Sequence, residues 1–440
     1  MYSVKKCSII GLGKLGACMA VAIAGKGFEV TGVDKNESFI KAFNQKRAPI
    51  FEPGLEKMLK KYGNRIHATA DYNEAVLNSD ITFIVVPTPS ESDGGFTLRY
   101  VRQAIKKIGL ALLKKGSYHT VVITSTVLPH SVDSCIKPLL EKISGKKCGR
   151  DFGLCYNPEF IALGTVISNF LNPDFILIGQ SDEKAGGILE RFYKKICDNK
   201  PAFARMNFVN AELAKISVNS FITTKITFAN MLTELAEKLP GGDIDTITNA
   251  LGLDSRIGKR YLKGGLGYGG PCFPRDNAAL ASIARKLKVQ ADIPNATDKF
   301  NRRIVGRLFR IVKAKIKHGD VVGLLGLSYK PFSNVIEESQ AVLLLEKLIT
   351  LRAKVSVYDP LAMDNVRNIF KNNICYANSA KNLIKMTDIL IIANSDPEFL
   401  KLKMSDFLAS KRIHTIIDCW RLLQDIHIPS VDYIPLGKGK

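Results

Sequence analysis

The stretch Lys263-Gly-Gly-Leu-Gly-Tyr-Gly-Gly-Pro-Cys272-Phe-Pro-Arg-Asp276 sets a thiol at the end of a glycine-rich loop, next to a cation and a carboxylate. Glycines at 264, 265, 267, 269 and 270 strip that loop of side chains, so something must approach its backbone closely. A lone cysteine is more often a small buried hydrophobe. Here the glycines and the neighbouring Arg275 and Asp276 reverse that expectation and mark Cys272 as a nucleophile whose thiolate a nearby cation favours.

Two further groups carry chemistry. Glu212, Lys215 and Asn219 stand three and four residues apart, which puts them on one helix face. By periodicity alone they read as a solvated polar stripe with a weak ion pair. Gly11, Gly13 and Gly16 form a GxGxxG turn, with Lys14 and Leu15 inside it. Such a turn lets the backbone approach a pyrophosphate, whose charge meets the N-terminus of the following helix. The motif is weak by itself, but an apolar run precedes it, a helical stretch follows, and a second strand ends at Asp34, eighteen residues after Gly16. A carboxylate there accepts from a ribose diol and repels a 2′-phosphate, which favours NAD over NADP.

The elements that must position these groups alternate along the chain. Strand-like runs at 6–10, 29–33, 81–86, 120–124 and 175–178 are separated by helical segments, the pattern of a parallel, doubly wound sheet. From 207 to 238 the sequence becomes one long helical stretch without internal Gly or Pro, ended by Pro240-Gly241-Gly242. Further helical sequence follows, and then strands near 321–327, 355–358, 389–392 and 415–418. The expected fold is α/β: two Rossmann-like doubly wound domains joined by a long central helix and a helical middle domain. The expected domains are residues 1–205, 206–300 and 301–440, and a chain of this length exceeds what one core usually serves.

Composition is that of an ordinary globular protein, with 46% hydrophobic and 24% charged residues. Nine cysteines without paired short spacings read as reduced thiols in a cytoplasmic protein, and no Cys/His cluster suggests a metal. The apolar start is too short for a signal peptide, and no run approaches a membrane span. The net charge of +22 is spread along the chain as Lys and Arg pairs rather than gathered into an arm, so no nucleic-acid partner is expected. Such a field suits anionic cofactors and substrates.

Taken together, these segments resemble the UDP-glucose/GDP-mannose dehydrogenase family. The ordered series includes the Gly11 turn, Glu52-Pro-Gly-Leu55, Pro87-Thr-Pro89, Ser125-Thr126-Val127, Asn157-Pro-Glu-Phe160, Glu212-Leu-Ala-Lys215 with Asn219, and Arg256-Ile-Gly258. The Cys272 loop, Gly326-Leu-Ser-Tyr-Lys330-Pro and Tyr358-Asp-Pro360 complete it. The resemblance implies two successive two-electron oxidations of a sugar C6 alcohol to a carboxylate, consuming two NAD+ and one water. UDP-glucose is the expected substrate and UDP-glucuronate the product.

By the same resemblance, Cys272 forms the covalent adduct, Lys215 and Asn219 stabilise the oxyanion, Asp276 and Thr126 handle the water, and Glu159 is the acid/base residue. Thr88, Thr126 and Arg275 join the glycine turn as cofactor contacts. The sugar nucleotide is expected to meet Glu159, Phe160, Lys215, Asn219, Arg256, Lys263, Tyr268, Gly269, Lys330 and Arg421. In the family the position of Arg256 reaches across a dimer interface, so a homodimer is expected. Alternatives are a relative acting on GDP-mannose or a UDP-N-acetylhexosamine, a non-catalytic nucleotide-sugar-binding protein, and a two-electron β-hydroxyacid dehydrogenase. Intact Cys272, Lys215, Asn219 and Asp276 count against the second, and the Cys272 loop and second α/β domain against the third.

Three departures sit on the cofactor side: Leu163 replaces a usual glutamate, Glu337 a usual arginine, and Phe39 a usual basic residue. The first two read as the linked loss of a carboxylate/arginine pair closing over the nicotinamide half of NAD. NAD is therefore expected to bind less tightly than the family norm. A Leu163→Glu, Glu337→Arg double variant should tighten binding severalfold in calorimetric titration, and an unchanged dissociation constant would contradict the pairing.

Overall fold

The computed structural model describes residues 4–424, 428 and 430–439, and the chain divides into two compact units, Met1–Ser217 and Val218–Lys440. In the first, β1 (Lys6–Ile10), β2 (Glu29–Val33), β3 (Ile66–Thr69), β4 (Ile81–Ile84), β5 (His119–Ile123), β6 (Phe152–Tyr156), β7 (Phe175–Gln180) and β8 (Ala202–Met206) form one sheet. Their order is β3-β2-β1-β4-β5-β6-β7-β8. In the second, β9 (Val321–Leu325), β10 (Lys354–Tyr358), β11 (Cys375–Tyr376), β12 (Ile389–Ile392), β13 (Thr415–Asp418) and β14 (Asp432–Pro435) are ordered β11-β10-β9-β12-β13-β14.

Adjacent residues on the central strands feed opposite layers. Ile9 and Phe83 enter one core of the first unit while Ile10 and Ile84 enter the other; Leu324 and Ile391 part from Leu325 and Ile392 in the same way in the second. A sheet covered on both faces has no polar face to show, which is why these strands are mostly apolar, with Ser8 and Thr82 as buried exceptions.

The two-sheet α/β fold is as expected, with one difference in strand direction. All pairings of the second sheet are parallel, but β6 and β7 run antiparallel, with Cys155 opposite Gln180. Residues 157–165 form neither helix nor strand, which leaves only the six-residue helix Val166–Leu171 between the two strands.

The long helix is Phe208–Ala236, 29 residues and about 43 Å, and the division between the units falls inside it. Helices Ile244–Leu253, Phe273–Lys286 and Asp292–Lys315 follow. The expected boundary at 300/301 lies within the last of these. Pro294 sits in its first turn, where the missing N–H costs no helical bond, so the helix runs on unbroken. Among the described residues no helix is long and apolar enough to cross a membrane, and none of the nine cysteines is in a disulfide.

One buried carboxylate fixes the loop that carries Lys330. Asp359 Oδ2 accepts from the Leu327 and Ser328 N–H groups at 2.8 and 2.9 Å and from the Ser328 hydroxyl at 3.0 Å. Its Oδ1 accepts from Leu361 N and Ala362 N at 2.9 and 2.8 Å. The Tyr-Asp-Pro motif is thus a clamp on the Gly326-Leu-Ser-Tyr-Lys330 turn. Asp359→Ala strands these donors in the interior, and urea unfolding should show a loss of about 3 kcal/mol or more.

Candidate active site

The dinucleotide cradle is built at the end of β1. Gly11 has φ +101°, and a side chain there would strike the Val85 carbonyl; one at Gly16 would strike the Gly11 carbonyl. At Gly13 a Cβ would meet nothing within 4 Å. Two glycines therefore pack the turn, and the third leaves its backbone open at the N-terminus of helix Lys14–Gly25, where a pyrophosphate fits. Lys14 is exposed there, and Leu15 packs on the core below. Asp34 is fixed by Leu12 N on Oδ2 at 2.7 Å and Asn36 N on Oδ1 at 2.9 Å. The sequence reading missed Gly32, where a side chain would collide with Leu12 of the turn.

Behind the cradle, Ser125 Oγ donates to Val86 O at 2.6 Å and accepts from Val86 N at 2.9 Å. Thr88 Oγ1 donates to the Thr126 carbonyl at 2.8 Å. The structure thus brings Thr88 and Thr126 together at the ends of β4 and β5.

The Asn157-Pro-Glu-Phe loop meets the long helix. Lys215 Nζ donates to the Glu159 carbonyl at 2.7 Å and lies 4.4 Å from the Phe160 ring centroid. Tyr193, from helix Glu183–Ile196, places its hydroxyl 2.6 Å from Asn157 Oδ1 and 3.0 Å from Glu159 Oε1. Glu159 is half-buried as a residue, with its carboxyl the enclosed end; burial pushes that carboxyl up to about 7, against the Tyr193 contact and the opposing charge of Lys215. Glu52, from the Glu-Pro-Gly-Leu motif, holds the far end of the loop by accepting from Gly164 N and Val166 N at 3.0 and 2.9 Å. Leu163 packs against the first core.

The expected solvated stripe is not what forms. Glu212, Lys215 and Asn219 are all buried. Each has found a partner that periodicity could not show, and for this reason the face tolerates burial. Glu212 accepts from His130 N and Val132 N at 2.8 Å each, so it caps the segment leading out of Ser125-Thr126-Val127. Burial pushes its carboxyl up to about 7.

In the second unit, Asn219 Nδ2 donates to Asp276 Oδ2 at 2.6 Å. Asp276 is buried in the first turn of helix Phe273–Lys286, and Cys272 is exposed at that helix's N-cap, where the helix dipole favours negative charge. The glycine loop before it is packed by the protein itself. Side chains at Gly264, Gly265, Gly267, Gly269 and Gly270 would collide with Thr233, the Trp420 ring, Asn301, the Glu338 carbonyl and the Tyr329 ring. The close approach inferred from these glycines is therefore intramolecular.

Two buried asparagines, which sequence reasoning missed, pin the loop. Asn230 accepts from Gly265 N at 2.9 Å and donates to Leu266 O at 3.1 Å, and Asn301 does the same for Tyr268 N and O at 2.9 Å each. Their one signal is asparagine inside a helix, where it is a poor former. Tyr268 is buried, and its hydroxyl accepts from Asn277 Nδ2 at 3.0 Å.

Of the remaining expected contacts, Lys263 is exposed and Lys330 half-buried. Exposed Arg256 pairs with Asp254 at 2.6 Å. Arg275 is half-buried on the helix beginning at Phe273. Arg421 is spent elsewhere: buried, it grips Asp245 through Nε and Nη2 at 2.6 and 2.9 Å and donates to Leu436 O and Gly264 O at 2.8 Å each. We therefore assign Arg421 to fixing the Gly264 end of the loop, not to substrate. Trp420 beside it donates its indole N–H to Ala393 O at 2.9 Å.

A glycine cradle with an acidic strand end on one doubly wound sheet, followed by a second such sheet, defines a dinucleotide-dependent dehydrogenase. The chain belongs to the UDP-glucose/GDP-mannose dehydrogenase family, matching its NAD binding domain over residues 5–197, its central domain over 209–303 and its UDP binding domain over 323–425. It is 35% identical over 420 residues to a UDP-glucose 6-dehydrogenase of Haloferax volcanii, covering 94% of this chain and 96% of the relative. It is 33% identical over 425 residues to a GDP-mannose 6-dehydrogenase of Azotobacter vinelandii, covering 93% and 96%. A solved UDP-glucose dehydrogenase from Pyrobaculum islandicum superposes with a TM-score of 0.89 at 32% identity, covering 99% of this chain and 98% of that one. The protein is a nucleotide-sugar dehydrogenase and its cofactor is NAD.

The raised Glu212 carboxyl has a measurable consequence. Between its ordinary value near 4.5 and about 7, the folded chain holds a proton that the unfolded chain has released, so stability is greatest below that window and falls as pH rises through it. This group contributes no more than about 3 kcal/mol of that fall. In Glu212→Gln, the decline of the urea midpoint between those pH values should be shallower than in the wild type.

Proposed function

We propose that the chain oxidises UDP-glucose at C6 to UDP-glucuronate in two two-electron steps, with Cys272 as covalent nucleophile. The carrying observation is the exposed Cys272 thiol at a helix N-terminus, next to a loop immobilised from Asn230 and Asn301 and one turn before the buried Asp276–Asn219 pair. A merely structural cysteine needs no such setting.

Bound NAD+ accepts the hydride in each step. In the first, the C6 alcohol gives up its hydroxyl proton to Glu159, directly or through water, and becomes the aldehyde. Addition of water or of the thiol each leaves a C–H hydride to lose; the thiol is the better route, because a thiolate is the stronger nucleophile and addition of Cys272 Sγ holds the carbon in place as a thiohemiacetal. Loss of that hydride leaves a thioester. Water then adds to the thioester carbonyl, the C–S bond breaks, and Cys272 recovers its proton. Lys215 and Asn219, one turn apart on the same helix, supply preorganised charge and an N–H donor for the oxyanion. Asp276 and Thr126 are the groups that orient the attacking water. Arg256, Lys263, Tyr268, Gly269 and Lys330 are the remaining contacts of the nucleotide sugar.

Support for UDP-glucose over other nucleotide sugars comes from the relatives at 35% and 32% identity named for it; the relative at 33% named for GDP-mannose supplies the competing substrate. A homodimer goes with this reading, since Phe221, Phe228 and Leu235 recur every seven residues on the long helix and are all exposed. A cytoplasmic setting goes with it too, because the cofactor is used there.

The test is NADH formed per UDP-glucose consumed at completion, for wild type and Cys272→Ser, with GDP-mannose and UDP-N-acetylglucosamine alongside. Two NADH per UDP-glucose, lost in the variant, is the expected result. One NADH, or turnover of another sugar only, would refute the thiol role or the substrate.

A further inference from the structure

The Asn157–Tyr193–Glu159 triad contains one hydroxyl hydrogen and two candidate acceptors. Asn157 Nδ2 donates to the Leu177 carbonyl at 2.9 Å, and since a carbonyl cannot donate, the amide orientation is fixed with Oδ1 toward Tyr193. Oδ1 accepts only, so the short 2.6 Å contact with the Tyr193 hydroxyl has to be a bond donated by Tyr193. That commits its only hydrogen. The tyrosine oxygen then presents a lone pair to Glu159 Oε1 at 3.0 Å, and two lone pairs at that separation repel unless a proton lies between them.

We infer that Tyr193 is a positioning residue that holds Glu159 in its protonated form, with the proton on Oε1 donated to the tyrosine oxygen, because the tyrosine hydrogen is committed to Asn157. Ionising Glu159 then requires the Tyr193 hydroxyl to turn away from Asn157 and leave that buried amide oxygen unpaired. The other groups facing Glu159 do not remove this constraint. Lys215 directs its ammonium to the backbone carbonyl of Glu159. Cys197, just beyond helix Glu183–Ile196, has a thiol that burial pushes up to about 11, so it stays neutral. Burial of the Glu159 carboxyl acts in the same direction as the hydrogen count and outweighs the two opposing influences, the Tyr193 contact and the Lys215 charge. The enzyme at rest therefore offers an acid at this position, and Glu159 accepts the C6 hydroxyl proton only after its own Oε1 proton has passed to solvent water and the Tyr193 hydroxyl has swung toward the carboxylate.

This inference rests on the acid/base reading of Glu159, and the two are separable by experiment. Infrared titration of substrate-free enzyme follows the carboxylic-acid C=O band that Glu159→Gln removes. In Asn157→Ala the Tyr193 hydroxyl is released to donate to the carboxylate, and the midpoint should fall by about one pH unit, the worth of one neutral hydrogen bond. The same substitution in a Tyr193→Phe background should move nothing. Tyr193→Phe alone is the second reading: its acid band should shift to the frequency of a carboxyl that donates to no acceptor. An Asn157→Ala midpoint equal to wild type, or an acid band unmoved in Tyr193→Phe, would overturn the inference. If the midpoint moves but the pH profile of kcat/KM does not move with it, the hydrogen count stands and the catalytic reading of Glu159 fails.

Discussion

The structure depends on one constraint: a long helix has buried a polar face, and each group on that face must therefore be answered by a partner of fixed geometry. Glu212 is answered by backbone N–H groups at 130 and 132, Lys215 by the carbonyl of Glu159, and Asn219 by the carboxylate of Asp276. The first two partners belong to one compact unit and the third to the other. Unanswered, any of these groups would cost a large part of a domain's net stability. The loops that carry Thr126, Glu159 and Cys272 are thus held in place by the same bonds that make the helix tolerable in its setting.

This explains which features were legible in the sequence. Central strands such as 6–10 and 389–392 were readable because both faces of each sheet are covered, and burial on two sides writes itself as an apolar run. The strands that went unread are mostly the sheet edges: β3, β8, β11 and β14 bound the two sheets and keep polar or half-exposed residues. The fifth, β6, is central but short and interrupted by Gly153, a residue depleted in strands. The glycine turn and Asp34 were legible because their chemistry is local. The burial of Glu212, Lys215 and Asn219 was not, because their partners lie 56 to 82 residues away in the chain.

The Cys272 loop shows a similar division. Its glycines announced that something comes close, but nothing in their spacing said what. The answer is the protein's own interior: Asn230 and Asn301 bond the loop's backbone, Arg421 closes its Gly264 end, and the Glu337 carbonyl accepts from Gly270 N at 2.9 Å. Arg421 illustrates the limit of reading a residue by motif. Its type suits an anionic ligand, yet its donors are consumed by Asp245 and by main-chain oxygens.

The indole that fills the space beside Gly265 belongs to the chain's one tryptophan. Trp420 is anchored by its own N–H to Ala393 O, so its ring environment changes chiefly when the loop moves away from it. The protein thus carries a built-in optical reporter at the segment leading to its exposed thiol. Its ultraviolet emission registers the state of that loop in the untouched enzyme, with no label to perturb a place where even one methyl group would not fit.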